Sequence, residues 1–367
     1  MKNFIVSQCG TSIITNSTKS REDRELVINN SNLRNLDDLD ISTKNSLLRI
    51  IEPIKADIKS KEVKDIKELS AELHGIAKFY EDNFRNRSQD VHYLVCTDTW
   101  LGKQTVEIVS QWLSQWNLTI IPYSPRDLQT SDLDSFEIAL SDMTKSLYNI
   151  IPEYKQKGYQ IVFNLTGGFK CVNGFLQTLA MFLADKSVYI FQSSTNLLTI
   201  PRLSIRLSYK DTIKDNLKLF RRISLGLNVE HSTLKDIPEM MLIDLDEEVT
   251  LSAWGEMAWN ETKAEIYCDR LYDSPSGKIV YGNKFANIDL PKDRTKLINE
   301  RIDQLARFLE DEKNPNPKSL NFKKLEGNPH PPSTHEFYAW SDADAKRVFG
   351  HYEENIFVID KLDKHLP

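Results

Sequence analysis

Three short polar segments in the first half of the chain carry residue types that hold phosphates and riboses. They are Ser7-Gln8-Cys9-Gly10-Thr11-Ser12, Thr97-Asp98-Thr99 running on to Gly102-Lys103, and Asn164-Leu165-Thr166-Gly167-Gly168-Phe169-Lys170. Hydroxyls and glycine N–H groups can approach a phosphate closely, and a helix opening at such a turn favours an anion at its N-terminus. In the third segment Gly167-Gly168 lets the chain turn tightly, and Lys170 adds positive charge. None of the three has the G-x-x-x-x-G-K-[ST] or the G-x-G-x-x-G spacing, so P-loop kinase and Rossmann dehydrogenase readings fail. Taken singly, each is also compatible with an ordinary strand-to-helix turn. A second group lies at the far end of the chain. Four of the seven histidines, at 330, 335, 351 and 365, accompany Lys323, Lys324, Lys346, Arg347, Lys361 and Lys364. Histidine suits acid and base roles near neutral pH, and lysine and arginine can hold anionic charge. For any one of these side chains taken singly, a solvated strand surface is the better reading.

The elements that must position these groups follow from apolar periodicity. Up to about residue 207, short β-rich runs at 4–6, 92–96, 160–165 and 187–192 alternate with helical patterns, the signature of βαβ units around a parallel sheet. Ile66, Leu69, Leu73, Ile76 and Phe79 line one predicted helix face, and Val106, Val109, Trp112, Leu113 and Trp116 another. Residues 15–63, rich in Asn, Asp, Ser and Lys, read as an insertion with short helices. Residues 208–276 read mostly as a helical connector, closed by the turn Asp273-Ser274-Pro275-Ser276-Gly277. Residues 277–367 then read as a small α+β domain: a strand at 278–285, an amphipathic helix at 291–310, and three strands at 334–340, 346–352 and 355–361. In an open parallel sheet ligands bind at the carboxyl ends of strands, which is where the three polar loops fall.

The composition removes several classes. With 367 residues, roughly two or three domains are expected. Hydrophobic residues at 40% and charged residues at 27% describe a chain able to bury a core. The densest apolar stretch, 176–184, is far short of the ~20 residues of a membrane span, and the start turns polar at Ser7 without a signal-peptide core, so a cytoplasmic protein is expected. Cys9, Cys96, Cys171 and Cys268 are scattered singly, which predicts reduced, buried thiols and no metal site. The net charge of −6 disfavours a general polyanion binder, so any nucleic-acid chemistry must be local.

The Cys9-Gly10-Thr11-Ser12 start, the Thr97-Asp98-Thr99 loop and the Asn164-to-Lys170 segment resemble the CARF domains of CRISPR-associated proteins, in the branch that contains ring nucleases. The resemblance covers residues 1–207 and implies a Rossmann-like α/β fold. It further implies a homodimer binding cyclic tetra-adenylate through Gly10, Thr11, Ser12, Thr97, Asp98, Thr99, Thr166, Gly167, Gly168 and Lys170. Ser12 and Lys170 match the hydroxyl and lysine that act when such domains cleave their own ligand. Residues 277–367 resemble the RelE toxins, ribosome-dependent mRNA endonucleases. That resemblance places Arg347 at the central-strand arginine and His365 at the C-terminal catalytic position. His335 falls near the strand that carries catalytic lysines in RelE itself; that strand here reads His335-Glu336-Phe337-Tyr338 and lacks them.

Together these resemblances imply a cyclic tetra-adenylate-activated, metal-independent endoribonuclease of type III CRISPR defence. It would need no cofactor beyond its activator, act on A-site mRNA on the ribosome, and use no DNA or membrane partner. The catalytic set expected is Arg347 with Lys323 or Lys324 on the phosphate and His335 and His365 sharing acid and base work. The alternatives are a CARF-controlled transcription regulator, which lacks a dense basic recognition helix here, and a ring nuclease with a degenerate C-terminal domain.

Overall fold

From Asn3 to Gln8 every residue is buried, as a strand covered on both faces requires. This run forms β1 (Lys2–Gln8), near the centre of a sheet completed by β2 (Val91–Val95), β3 (Thr119–Tyr123), β4 (Tyr159–Asn164), β5 (Lys186–Ile190) and β6 (Leu197–Pro201). The order is β3-β2-β1-β4-β5-β6. The first five strands are parallel and β6 closes one edge antiparallel to β5. The computed structural model describes residues 2–129, 132–190, 196–203, 208–245, 248–311, 313–327 and 329–364. It divides the chain into two compact units, Met1–Arg206 and Leu207–Pro367.

The first unit adds helices α1 (Ser12–Ser17), α2 (Arg21–Asn29), α3 (Ile41–Asp57), α4 (Val63–Leu69), α5 (Ala71–Phe79), α6 (Trp100–Ser114), α7 (Leu133–Gln156) and α8 (Lys170–Leu183). The single helix expected through Ile66 to Phe79 is two. Ser70 takes an extended conformation between them and its hydroxyl accepts the Leu73 N–H at 3.1 Å, so it caps α5. The insertion is not limited to short helices, because α3 runs for 17 residues and buries Leu47, Ile50 and Ile51. Trp112 is fully buried, with its indole N–H on the Lys61 carbonyl at 3.0 Å and its ring edge-on to Phe84. Cys9 and Cys96 are buried, but Cys171 is exposed and Cys268 half-buried, against the expectation of four buried thiols.

The second unit begins with α9 (Lys210–Asp215) and α10 (Leu217–Ser224). Where helix was expected there follows an antiparallel hairpin, β7 (Leu242–Leu245) and β8 (Glu248–Leu251), before α11 (Ala253–Asp269). After β9 (Ile279–Tyr281), α12 (Asn283–Ala286) and α13 (Lys292–Glu310) come β10 (Lys323–Lys324), β11 (His335–Trp340), β12 (Lys346–Glu353) and β13 (Ile356–Lys364). These strands form a sheet ordered β10-β11-β12-β13-β9. Ile298, Ile302 and Leu305 of α13 bury against Phe337, Val348, Phe357 and Ile359 of its inner face. Residues 208–276 pack into this same unit. Asn299 of α13 binds the Tyr267 and Arg270 carbonyls and the Tyr272 N–H, and the buried Arg221 of α10 meets Asp303 of α13 at 2.7 Å.

Candidate functional site

β1 and β4 are hydrogen-bonded neighbours, yet the chain proceeds from β1 toward β2 and β3 on one side and from β4 toward β5 on the other. This is the switch point of the sheet, where loops diverge and leave a crevice at the carboxyl ends of the strands. The segments 9–12 and 165–170 emerge there side by side. Gly10 lies so near Gly168 that a Cβ on it would stand 3.1 Å from the Gly168 Cα. Gly168 has φ +95°, and a Cβ there would meet the Gln8 side chain at 2.3 Å, so both conformation and space demand glycine. Phe169 gives α8 no side-chain cap, which leaves first-turn N–H groups of a 14-residue helix for an anion, with exposed Lys170 at its first position. Both amide atoms of Gln8 and the Thr166 hydroxyl are buried at this edge without a hydrogen-bond partner among the described residues. Buried polar groups of that kind suit a polar ligand.

Beneath the two loops sits a residue the sequence reading missed. Glu72, on the first turn of α5, is fully buried. Its carboxylate accepts the Gly10 N–H at 2.6 Å, the Ser70 hydroxyl at 2.7 Å and the Ser12 hydroxyl at 3.0 Å. Gly167 packs directly on it, since a Cβ there would lie 2.6 Å from the Glu72 carboxyl carbon. Ser12 also accepts the Ala71 N–H at 3.3 Å, so its hydroxyl is fixed by α5. Burial raises the Glu72 pKa, outweighing the donors from Gly10, Ser70 and Ser12 that favour the carboxylate. A folded pKa above the unfolded one means that Glu72's contribution is present at low pH and is lost as pH rises through the folded pKa. The isosteric Glu72→Gln protein is therefore expected to gain stability over the wild type as pH rises from 4.5 upward, with no gain below it. Thermal melts of both proteins across that range check this.

The second loop leaves β2 at the same sheet edge, but its polar groups are largely engaged. Thr99 caps α6 through the Gly102 N–H at 3.1 Å, and Thr97 bonds Thr99 at 2.9 Å. Asp98 pairs with Lys103 at 2.8 Å and accepts the Asp127 N–H at 3.1 Å. Partial burial opposes its ionisation, yet these partners hold its pKa low. Thr11, half-buried, precedes α1 and supplies a backbone carbonyl to Ile14 and Thr15.

In the second unit the sheet's alternation separates the expected catalytic residues. His335 pairs with Gly350 and Tyr338 with Arg347 in one regular register, so His335 shares the α13 face with Phe337 while Arg347 lies on the outer face. His335 stacks on Phe322 and meets Phe357 of the core. Arg347 lies over the Tyr338 ring at 3.5 Å, with its Nε buried and unpartnered among the described residues. The neighbouring lysines divide likewise: Lys323 pairs with Glu336, on the outer face, and Lys324 with His335. His365 lies outside the described residues. One site holding Arg347 and His335 together is thus not what the fold builds.

The outer face instead gathers groups not assigned from sequence. Lys361, opposite Phe349, donates to His330 Nδ1 at 3.0 Å, and His330 packs on Phe349. His351 bonds Asp360 at 2.9 Å, which together with Glu353 raises its pKa against the effect of partial burial, and Asp360 also accepts the Ser333 hydroxyl at 2.7 Å. A face with Arg347, Lys361, Tyr338 and His330 can bind a phosphate and exchange protons beside it. The described residues contain no group of His, Cys, Asp or Glu that could hold a metal ion, and no helix among them is long and apolar enough to cross a membrane.

Residues 67–203 match the family model Cas_APE2256, a CRISPR-associated protein. The matched stretch contains Glu72, the strands β2 to β6 and the Gly167-Gly168 turn. No curated protein matches the chain.

Proposed function

We propose that the protein is a signal-gated ribonuclease of CRISPR defence: the first unit binds a cyclic oligoadenylate and the second cleaves mRNA on the ribosome. The observation that carries the reading is the meeting of Gly10 with the Gly167-Gly168 turn and the uncapped, Lys170-bearing start of α8 at the switch point, the turn and the helix start lying within the stretch that matches the CRISPR-associated family model. A cyclic nucleotide with repeated phosphates is matched by a two-fold dimer in which each copy offers the same loops. The resemblance to CARF domains points to cyclic tetra-adenylate as the ligand. Ser12, held by Glu72 and Ala71, and Lys170 are the groups available for ligand cleavage, in which an adenosine 2′-oxygen attacks its own phosphate and the 5′-oxygen departs.

In the second unit the same in-line reaction on mRNA would form a 2′,3′-cyclic phosphate and a free 5′-hydroxyl. Arg347 and Lys361 would hold the developing charge, and His330, which shares their face, replaces His335 as the proton-transfer group. The ribosome would fix the substrate geometry that so small a site does not impose.

Lys170→Ala is expected to weaken cyclic tetra-adenylate binding by about tenfold or more, since it removes a charge-assisted contact to phosphate. Ser12→Ala should slow ring cleavage while retaining binding. Calorimetry with the ligand, and chromatography of its products, measure both; unchanged affinity and turnover in Lys170→Ala would reject the site.

A further inference from the structure

A cavity of about 680 Å³ opens on the α13 side of the second unit's sheet, away from Arg347. That is large enough for a nucleotide. One wall is aromatic: the His335 ring lies 9° from parallel with Phe322 at 5.3 Å and edge-on to Tyr352 at 5.2 Å. Tyr352 is 40% exposed, so its ring is open to a stacking partner. Burial and the nearby Lys324 charge both lower the His335 pKa, which makes the ring a neutral stacking surface at pH 7.

The cations are not equivalent. Lys278 is committed to the Leu309 and Glu310 carbonyls at the end of α13. Lys323 sits 3.3 Å from Glu336 and is half exposed. Lys324 is exposed and has no partner among the described residues. Because β10 is the edge strand, Lys323 belongs to the register row of Arg347's face and Lys324 to that of His335. Two adjacent lysines thus stand at the edge and both line the cavity, Lys323 also reaching Glu336 of the outer face, so cations follow the path by which a phosphate backbone would pass around it. Among the described residues lining the cavity, Glu354 is the one acidic group. Aromatic platforms beside lysines are the means by which proteins hold single-stranded RNA.

We propose that this cavity holds one nucleotide of the single-stranded RNA substrate, its base against Tyr352 and His335 and its phosphate at Lys324. The substrate strand then rounds the β10 edge to reach Arg347. This rests on the ribonuclease reading of the second unit, and it makes His335 a binding residue.

The test uses the full chain carrying Arg347→Ala, which silences cleavage, and a fluorescein-labelled single-stranded decaribonucleotide followed by anisotropy at several salt concentrations. Lys324→Ala should weaken binding by about tenfold and reduce the salt slope by about 0.7, the value for one phosphate contact on a single strand. Tyr352→Ala should weaken it by at least about fivefold, the lower end for one stacked base. Lys324 is exposed, so its change leaves the core untouched; Tyr352 also packs on Phe357, so the circular dichroism spectrum of that variant is compared with that of the wild type. With Arg347 intact, the same two variants should raise KM and leave kcat, and His335→Gln should leave the pH profile of kcat unmoved. Unaltered anisotropy in both variants, or a pH profile reshaped by His335→Gln, would overturn the proposal. Loss of RNA binding in the variants of a protein whose wild type cleaves no mRNA would refute the ribonuclease reading and uphold the cavity.

Discussion

Arg347→Ala is expected to lower cleavage of ribosome-bound mRNA by about 10²–10³-fold or more, because removing the guanidinium leaves phosphorane charge uncompensated. Arg347 stands on the middle strand of the sheet, on its outer face, with its guanidinium 3.5 Å from the Tyr338 ring centroid and a buried Nε lacking a partner among the described residues. A cation held in that orientation is preorganised for a phosphate. Cyclic tetra-adenylate binding should survive, since the ligand loops belong to the other unit. His330→Ala should slow the same step with an altered pH dependence, whereas loss of His351 should not, because His351 is already committed to Asp360. Primer extension on stalled ribosomes gives the rates; wild-type activity in Arg347→Ala would remove the outer face from the mechanism.

The second large effect is on stability. Arg221 and Asp303 form an ion pair with side chains 1% and 4% exposed, and Asp303 also accepts the Tyr267 hydroxyl. Arg221→Ala strands a buried carboxylate, which costs about 3–5 kcal/mol. For a unit of this size that corresponds to a fall in melting temperature of about 10 °C. Replacing both partners together, as Arg221→Met with Asp303→Leu, should restore most of the loss, because neither charge is then left unpaired. Denaturant titrations of the wild type and the two variants measure this; equal loss in the double variant would show that the pair's packing, not its charge, holds α10 to α13.

What could be read in advance follows from burial. β1, β2, β4 and β5 announced themselves because strands covered on both faces are continuous apolar runs. β3 and β6 lie at the sheet edges, β3 containing Pro122 and β6 mostly exposed, so they carry no such run. The break at Ser70 is invisible to periodicity, since Ile66, Leu69 and Leu73 keep the helical phase across it. Glu72 looks like one more solvated helix carboxylate. Its burial arises only when Gly10 and Gly167, distant in sequence, close over it. The separation of His335 from Arg347 was legible: His335 shares the phase of Phe337 and Ala339, and Arg347 is out of phase with Val348. The catalytic set that joins them rests on the RelE resemblance, which carries no information on strand parity.

The account stands most directly on one comparison: cutting of mRNA in a reconstituted translation reaction, with and without cyclic tetra-adenylate, beside the same RNA free of ribosomes. Cuts confined to the ribosome-bound message, appearing when the ligand is added and absent in Lys170→Ala or Arg347→Ala, are the expected result. Equal cutting without ligand, or rapid degradation of free RNA that persists in Arg347→Ala, would contradict it.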